Sequence, residues 1–307
     1  MAFGRTTLFG AALGWLTAVM PRAAQAQACC AGTSAVTPGR LELHEDALVG
    51  VRVRVATLLG RYDAHAEYRG APAGTAQWDF EQALFGSLRV LRRGQLSLLV
   101  PLAESWRRTP TTGAEFGGGL GDLNVSARYD FTGSHEVSFL PGIALLLGTT
   151  LPTGRSPEAA SSELGSDATG VGAVQLNAGL ALERSFGSWL FGATGLVAKR
   201  FPRDARGVKS DLGTQLTFLA NAGYVFESEA SLAAVVTFTT EGKASVDDHA
   251  VPGSARRLLE VGLAGSQPLD DAWRLQASAF LHPPVDRVGK NQPAMTGAAV
   301  TVVWAFR

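Results

Sequence analysis

The amino-acid sequence predicts an all-β fold: a transmembrane, antiparallel up-and-down β-barrel of about twelve strands that follows a cleaved signal peptide. Three observations lead to this prediction. The N-terminus has the form of an export signal, many segments alternate apolar with polar residues, and the connections alternate between short and long. The chain has 307 residues, of which 46% are hydrophobic and only 18% charged. Its apolar surface must therefore be covered by a protein core or by lipid.

Residues 1–26 have the three parts of a secretory signal. Arg5 supplies positive charge, an apolar stretch runs from Leu8 to Met20, and Ala24-Gln25-Ala26 forms a small-x-small cleavage site. A buried or membrane-anchoring helix is the alternative, but the apolar part is short for a membrane span. We expect 1–26 to be removed, 27–45 to be a flexible periplasmic N-terminal segment, and 46–307 to form the barrel.

The two cysteines, Cys29 and Cys30, are adjacent and would follow the cleavage site. Three interpretations stay open: a strained or intermolecular disulfide, a lipid-modified Cys29, or an incidental pair in a flexible segment. The residues before Cys29 lack the large aliphatic side chain that lipoprotein signals favour. Two adjacent thiols need further ligands to hold a metal. His44-Glu45-Asp46 lies nearby, but we expect no metal site.

A period of two residues is the main signature of strands in this sequence. In Val49 to Val55, valines occupy one face, and Arg52 and Arg54 occupy the other. In a membrane barrel the valines would face lipid and the arginines the lumen. In a soluble sandwich the apolar face would instead meet a second sheet, but charges of both signs on the opposite faces disfavour a packed soluble core.

The connections between these segments divide into two kinds. Short turns fall near Gly94, Gly133, Gly187, Ser228 and Asp270. Long segments rich in Gly, Pro, Ser and charge cover 69–75, 107–119, 152–170, 202–209, 242–254 and 283–293. Short turns at one end and long loops at the other are typical of outer-membrane barrels, with the short turns periplasmic. The expected strands cover 47–60, 77–91, 95–106, 120–132, 136–151, 171–184, 189–201, 210–226, 230–242, 256–267, 272–282 and 295–306.

Strand parity assigns a set of polar side chains to the inside of the barrel. Charges of both signs there favour internal ion pairs, with a role in selectivity as the alternative. A barrel of about twelve strands lies between the side-chain-filled eight-stranded type and the open porins of 16 to 18 strands, so the lumen can be a narrow pore or a plugged interior. The lumen-lining candidates are Arg52, Arg54, Asp79, Glu81, Arg89, Asp122, Asn124, Arg128, Gln175, Asn177, Glu183, Asp211, Gln215, Glu241, Glu260, Arg274 and Gln276.

Aromatic residues near the expected strand ends fit the girdles that such barrels place at the two membrane interfaces. Aromatic residues also bound strands in other sheets, which is the alternative. The residues concerned are Trp78, Phe80, Trp106, Tyr129, Phe131, Phe226, Trp273, Trp304 and Phe306.

The sequence shows no pattern that predicts an enzyme or a cofactor. A lipid hydrolase would need a serine nucleophile with a histidine base. His135 is expected in a periplasmic turn, and His282 has no serine near it in sequence. Asp247-Asp248-His249 is expected in a solvated external loop, with a divalent cation site as the weaker alternative. Gly117 to Gly121 is glycine-rich but opens a strand rather than a helix, which excludes dinucleotide binding. We therefore expect no catalytic residues, metal or cofactor.

One stretch of the chain resembles a known family. Gly118-Gly119-Leu120-Gly121-Asp122-Leu123-Asn124-Val125, then Arg128-Tyr129, then Leu151-Pro152-Thr153-Gly154 and the glycine-rich strand from Thr169 are similar to the phenol meta-cleavage (MetA) pathway transporter-like family of exported barrels. The resemblance covers roughly residues 45–307. It implies an outer-membrane barrel and a conduit for small hydrophobic or aromatic compounds, with no catalytic residues to transfer.

The leading functional hypothesis is a passive conduit or uptake protein for small molecules in the cell outer membrane. The alternatives are a non-conducting structural or adhesion barrel that acts through its external loops, a lipid hydrolase, and a soluble periplasmic β-protein. The expected partners are outer-membrane lipid, the barrel-assembly machinery and a small-molecule substrate. The sequence leaves the oligomeric state open. The 27 basic and 27 acidic residues balance, so no basic face for nucleic acid is expected.

Overall fold

A computed structural model of the chain describes residues 39–42, 44–133, 140–205 and 208–307. The expected signal peptide, the Cys29–Cys30 pair and His135 lie outside these ranges. Within them the chain is built of β-strands and one single-turn 3-10 helix, Pro157–Ala159. None of the described segments forms a helix with the length and apolarity needed to cross a membrane.

The described residues contain eighteen strands of two to sixteen residues. They are β1 (Ala47–Tyr62), β2 (Tyr68–Gly70), β3 (Ala76–Leu91), β4 (Gly94–Thr109), β5 (Gly113–Leu120), β6 (Leu123–Thr132), β7 (Gly142–Leu151), β8 (Gln175–Phe186), β9 (Trp189–Arg200), β10 (Arg203–Ala205), β11 (Val208–Asp211), β12 (Gln215–Val225), β13 (Ser231–Glu241), β14 (Ser245–Val246), β15 (His249–Ala250), β16 (Arg256–Pro268), β17 (Trp273–Leu281) and β18 (Gln292–Phe306).

Each long strand pairs antiparallel with its neighbours in the chain, and the first and last strands close the sheet. β1 pairs with β18 from Ala47 opposite Phe306 to Tyr62 opposite Gln292. β5 and β6 both pair with β4 and together form one interrupted wall strand. The wall therefore has twelve strands: β1, β3, β4, β5/β6, β7, β8, β9, β12, β13, β16, β17 and β18. This confirms the predicted closed, twelve-stranded, up-and-down barrel.

Most strands begin and end close to the expected positions, because the period of two marks them well. Two expectations about the long-loop end are corrected. Residues 107–119 were expected to be a loop, but β4 continues to Thr109 and β5 begins at Gly113, so this region is a hairpin that extends the wall. The expected strand 210–226 begins only at Gln215, because Val208–Asp211 forms β11 in a separate sheet.

The two faces of the wall have opposite chemistry. In β1, Val49, Val51 and Val53 are 42 to 49% exposed, whereas Leu48 is 1% exposed and Arg52 and Arg54 are partly buried. The same alternation holds in β17, where every second residue is exposed. A closed sheet has only an outer and an inner face. The exposed aliphatic side chains therefore lie on the outer face of the barrel, which is apolar, as contact with lipid requires.

Aromatic side chains concentrate on this outer face near the strand ends. Trp273 and Trp304 stack with ring centroids 5.6 Å apart beside Phe306, and Tyr129 contacts Phe131 edge-on. These lie at the short-turn end, while Trp78 stacks on Phe80 towards the other end. The arrangement matches the girdles that anchor barrels at the two interfaces.

The long-loop end carries two ordered substructures. β10, β11, β14 and β15 form a four-stranded sheet separate from the barrel wall. The second is the connection between β7 and β8, which Asp122 and Asp167 hold through hydrogen bonds to loop backbone amides, including those of Gly154 at 2.9 Å and Ser161 at 2.9 Å.

Candidate functional site: the barrel lumen

The inner face of the barrel brings most of the predicted lumen-lining residues together in three clusters. One lies at the short-turn end, one near the middle and one at the long-loop end. Each position follows from strand parity, because a residue in register with an inward neighbour also points inward. Arg52, for example, is in register with Thr301 of β18 and Ala83 of β3.

The short-turn end of the lumen contains a stretch of the N-terminal chain. We call residues 39–42 and 44–45 the inner segment. Leu41 packs inside the barrel against Leu48, Phe85, Val303 and Ala305 and is 7% exposed. The sequence predicted a flexible segment here. Burial of Leu41 and the bonds described next instead fix this part of it against the wall.

Backbone groups of the inner segment bond to the near wall, β3 and β4. The amide of Leu41 donates to Gln95 Oε1 at 3.0 Å, and Gln95 Nε2 donates to the carbonyl of Gly39 at 2.7 Å. Ser87 donates to the same carbonyl at 2.9 Å. Arg89, a predicted lumen residue, donates through Nε to the carbonyl of Glu45 at 2.7 Å.

Charged side chains of the inner segment pair with more distant strands. Arg274 of β17, another predicted lumen residue, contacts Glu42 at 3.0 Å and Glu45 at 2.8 Å. Arg40 pairs with Glu183 of β8 and lies 3.6 Å from Asp130 of β6. β8 and β17 are nearly opposite each other in the twelve-strand order. The inner segment therefore crosses the lumen at this end.

Beside this crossing lies the most buried ion-pair group of the wall. Arg128 is 2% exposed and Glu183 is 5% exposed. Arg128 Nη2 lies 3.1 Å from Glu183 and 2.8 Å from Asp130. Arg40 completes the group from the inner segment. Two guanidinium groups facing two carboxylates leave the group electrically balanced, as buried charges require.

The middle of the lumen is more open. Arg52 Nη2 pairs with Glu81 at 2.6 Å, and Asp79 accepts from Ser105 at 2.7 Å. The Arg54 guanidinium lies over the ring of Phe280, 4.4 Å from its centroid. A cavity of about 140 Å³ opens here. Its lining includes Arg52, Arg54, Leu219, Glu260, Gln276, Ser278, Phe280 and Thr301.

At the long-loop end, Arg200 joins three predicted residues. It contacts Glu241 at 2.7 Å, Gln215 at 2.6 Å and Gln175 at 2.9 Å. Gln175 in turn donates to Asn177 at 2.7 Å. Arg200 is 8% exposed and Glu241 is 7% exposed. This group links β8, β9, β12 and β13 across the inner face.

Three predicted residues lie outside these clusters. Asn124 points inward and donates to Thr150 at 3.1 Å. Asp122 occupies the break between β5 and β6 and accepts from the amides of Gly154 and Val171, so it fixes a loop. Asp211 lies in β11, off the barrel wall, where Lys199 contacts it at 3.4 Å. The inward assignment of Asp211 followed from the misplaced start of its strand.

Sequence reasoning missed several residues of the lumen. Arg200 has the parity of Thr194 and Ala198 in β9, both inward, so the alternation was sufficient to find it. His282 likewise continues the inward series of β17. No local pattern marks Arg40, Glu42 and Glu45, because they precede the first strand and meet their partners only in the closed barrel.

Burial raises the pKa of Glu42 above its usual value, and the opposing effect of Arg274 does not cancel it. Glu42 thus binds its proton more tightly in the folded barrel than in the unfolded chain.

The side chains that were candidates for catalysis or metal binding are engaged elsewhere. His282 Nδ1 accepts from the amide of Met295 at 3.0 Å, and its Nε2 lies 3.2 Å from Glu260. No described serine hydroxyl bonds to it, so a hydrolase triad is not assembled there. Glu42, His44 and Glu45 lie close enough for a metal, but Arg274 already contacts both carboxylates. Asp248 pairs with Lys209 at 2.9 Å.

Comparison with known proteins supports the architecture. No family model matches the chain, and no curated protein matches it by sequence. Among solved structures, the COG4313 outer membrane channel from Pseudomonas putida F1 has a TM-score of 0.70 at 14% identity, over 85% of this chain and 96% of that one. The β domain of the Bordetella autotransporter BrkA has a TM-score of 0.50 at 11% identity, over 85% and 100%. These similarities concern the fold: the chain has the architecture of outer-membrane barrels.

Proposed function

We propose that this protein is a passive conduit for small molecules in the cell outer membrane, with its lumen restricted at the short-turn end by the inner segment. The observation that carries the proposal is the charged inner face, which has ionisable side chains at both ends and in the middle. A barrel that served only as a scaffold would gain more stability from an apolar filling, since buried ion pairs contribute little net stability.

The way the inner segment is held also supports a conduit. Its contacts are one buried leucine, a few hydrogen bonds and the Arg274 and Arg40 ion pairs. A typical intramolecular hydrogen bond contributes about 0.5–1.5 kcal/mol net, and buried ion pairs add little net stability relative to apolar packing. A segment held in this way can leave the lumen without unfolding the wall. The fold similarity to a structure described as a channel agrees with this interpretation.

Reconstitution of the purified barrel in planar bilayers and liposomes tests the proposal. We expect small ion-conducting events from the native protein and swelling of liposomes in small solutes. A variant lacking residues 27–45 should conduct more at each event. The two preparations must first show the same heat-modifiable mobility, which reports a closed barrel. Absence of both conductance and swelling in the shortened variant would refute the conduit.

A non-conducting barrel that acts through its external loops is the second candidate. The long-loop end favours it because this end contains a four-stranded sheet and a hydrogen-bonded β7–β8 connection. However, two acidic side chains of the β7–β8 connection, which would supply the contact surface on this hypothesis, already bond within the protein. Asp167 bonds to Ser161 and Ser162, and Glu158 pairs with Arg203 at 2.5 Å. Replacing residues 156–168 by a short glycine-serine linker should abolish cell adhesion on this hypothesis and leave conductance unchanged.

A further inference from the structure

We propose that the mid-lumen cavity is a binding subsite for small monocarboxylates with a compact apolar body, in which Arg54 binds the carboxylate and Phe280 the apolar part. The proposal deepens the conduit function and rests on it, since the cavity lies in the lumen. It concerns the cavity of about 140 Å³ that is lined by β1, β12, β13, β16, β17 and β18.

The first observation is the state of Arg54. Its guanidinium is held over the Phe280 ring, 4.4 Å from the centroid. Within the described ranges it makes neither an ion pair nor a hydrogen bond. The stacking fixes the group in one position and leaves its N–H edge available. A guanidinium edge is matched to the two oxygens of a carboxylate.

The second observation is that other polar groups without protein partners line the same cavity. Arg52 pairs with Glu81 through Nη2, but its Nε is buried and lacks a partner among the described residues. Gln276, Ser278 and Thr301 line the cavity, and their side chains form no hydrogen bond within the described part of the chain. Of these groups Arg52 Nε is buried from solvent, and a buried polar group is normally satisfied by protein, water or ligand. Their convergence on one space points to a polar ligand group.

The third observation is that the β18 residues beside Arg54 and Phe280 are small, which leaves space for the cavity. The residues in register with Arg54 and Phe280 on β18 are Ala299 and Gly297. A Cβ at Gly297 would lie 2.6 Å from the Phe280 ring and would also meet the carbonyl of Val55. Small residues thus let the aromatic ring lie flat against the wall. Leu219 supplies a further apolar surface.

Charge and size together limit the ligand. Two arginines, Arg52 and Arg54, face two carboxylates, Glu81 and Glu260, and His282 contacts Glu260. A dianion would be repelled by the two acidic residues, whereas a single carboxylate can engage Arg54 alone. A cavity of about 150 Å³ accepts a benzene ring. A single-ring acid such as benzoate therefore has the required dimensions.

Calorimetric titration of the complete mature barrel in detergent tests this subsite. Benzoate should bind to the native protein, while benzyl alcohol and benzylamine, with the same ring and no negative charge, should bind at least about tenfold more weakly, because a charged hydrogen bond contributes about 1.5–3 kcal/mol. Equal binding of benzyl alcohol and benzoate would overturn the proposal without the use of any variant.

Substitutions assign the binding to these residues. Arg54→Gln should weaken benzoate binding at least about tenfold, and Phe280→Leu should weaken it while Arg54 remains charged. Arg61→Gln is the matched control, because Arg61 lies on the same strand but is exposed on the outer side. Unchanged affinity in folded Arg54→Gln protein would refute the assignment.

Conductance in potassium chloride separates this proposal from the conduit itself. Benzoate should reduce the native current in a concentration-dependent way, and the Arg54→Gln channel should lose this block. Conductance without benzoate binding refutes the subsite and leaves the conduit intact. Calorimetric binding without any conductance refutes the conduit and leaves the subsite.

Discussion

At the scale of single residues, Arg128 and Glu183 show how the lumen tolerates charge. Arg128 is among the most buried charged residues described, at 2% exposed, yet its neighbours supply two carboxylates. The cost of removing one partner exceeds the value of the pair, because an uncompensated charge stays buried.

Glu183→Gln should therefore destabilise the barrel by about 3 kcal/mol, the lower end of the range for broken buried pairs, since Asp130 remains beside Arg128. Urea unfolding followed by tryptophan fluorescence would measure the change. Glu67→Gln removes an exposed ion pair with Arg69 and should change stability by less than about 0.5 kcal/mol. Equal effects of the two substitutions would contradict the role given to burial.

Asp167 provides a prediction about pH. The Ser161 hydroxyl, followed by the Ser161 amide and by Ser162, holds the pKa of Asp167 well below its usual value. The charged form is thus favoured in the folded loop. Its contribution is present above the unfolded pKa of 3.8 and is lost as the pH falls through the lower folded value.

Hydrogen exchange of residues 155–169, expressed relative to the intrinsic exchange rate at each pH, should consequently rise below pH 3.8 in the native protein. Asp167→Asn should show the raised exchange already at neutral pH and little further change on acidification. Glu163→Gln, in the same loop, is the control, because no described group bonds to its carboxylate. A native loop whose exchange does not respond to acid would disprove this account.

At the scale of elements, the inner segment and the β4–β5 hairpin depart from a simple barrel. Strands of about 9–11 residues suffice to cross an outer membrane. β1, β3 and β4 each have 16 residues and continue beyond that length. The extra length lies at the long-loop end, where it supports the β7–β8 connection through Arg107 and the carbonyl of Leu164 at 2.7 Å.

For the inner segment, we predict that Arg274→Gln raises single-channel conductance several-fold. The substitution leaves Glu42 and Glu45 without their cationic partner, so the segment spends more time outside the lumen. Arg92→Gln alters an exposed arginine in a turn at the same end and should leave conductance unchanged. If Arg274→Gln conducts like the native protein, the ion pairs do not hold the segment in place.

At the scale of the whole molecule, stability depends on closure of β1 against β18. Gly297→Ala places a methyl group against the carbonyl of Val55 and the Phe280 ring at this seam. Overpacking of this kind costs about 1–3 kcal/mol, so the barrel should convert to its unfolded gel mobility at lower temperature. Gly195→Ala is the control, since its added Cβ would be 3.8 Å from Phe218. An equal loss in both variants would argue against strain at the seam.

The strands of the barrel wall could be predicted because the pattern that marks each strand lies in residues adjacent in the sequence. Val49 to Val55 alternates residue by residue, and the turns at Gly187 and Asp270 are short and polar. The inner segment could not be predicted, because Arg40 meets Glu183 and Glu42 meets Arg274 only when strands distant in sequence have closed around them. Asp211 was misplaced for a related reason: a strand in a loop has the same period as a strand in the wall.

The closing register has a consequence for biogenesis. Ala47 pairs with Phe306, so the wall cannot close until the last residues of the chain have been delivered. The inner segment lies immediately before Ala47 and bonds to β3, β4, β6, β8 and β17 from within. Its docking therefore draws on partners from most of the chain, which implies a late, slow step in assembly. The inner segment thus precedes every wall strand in the sequence, yet its docking depends on strands that close the barrel last.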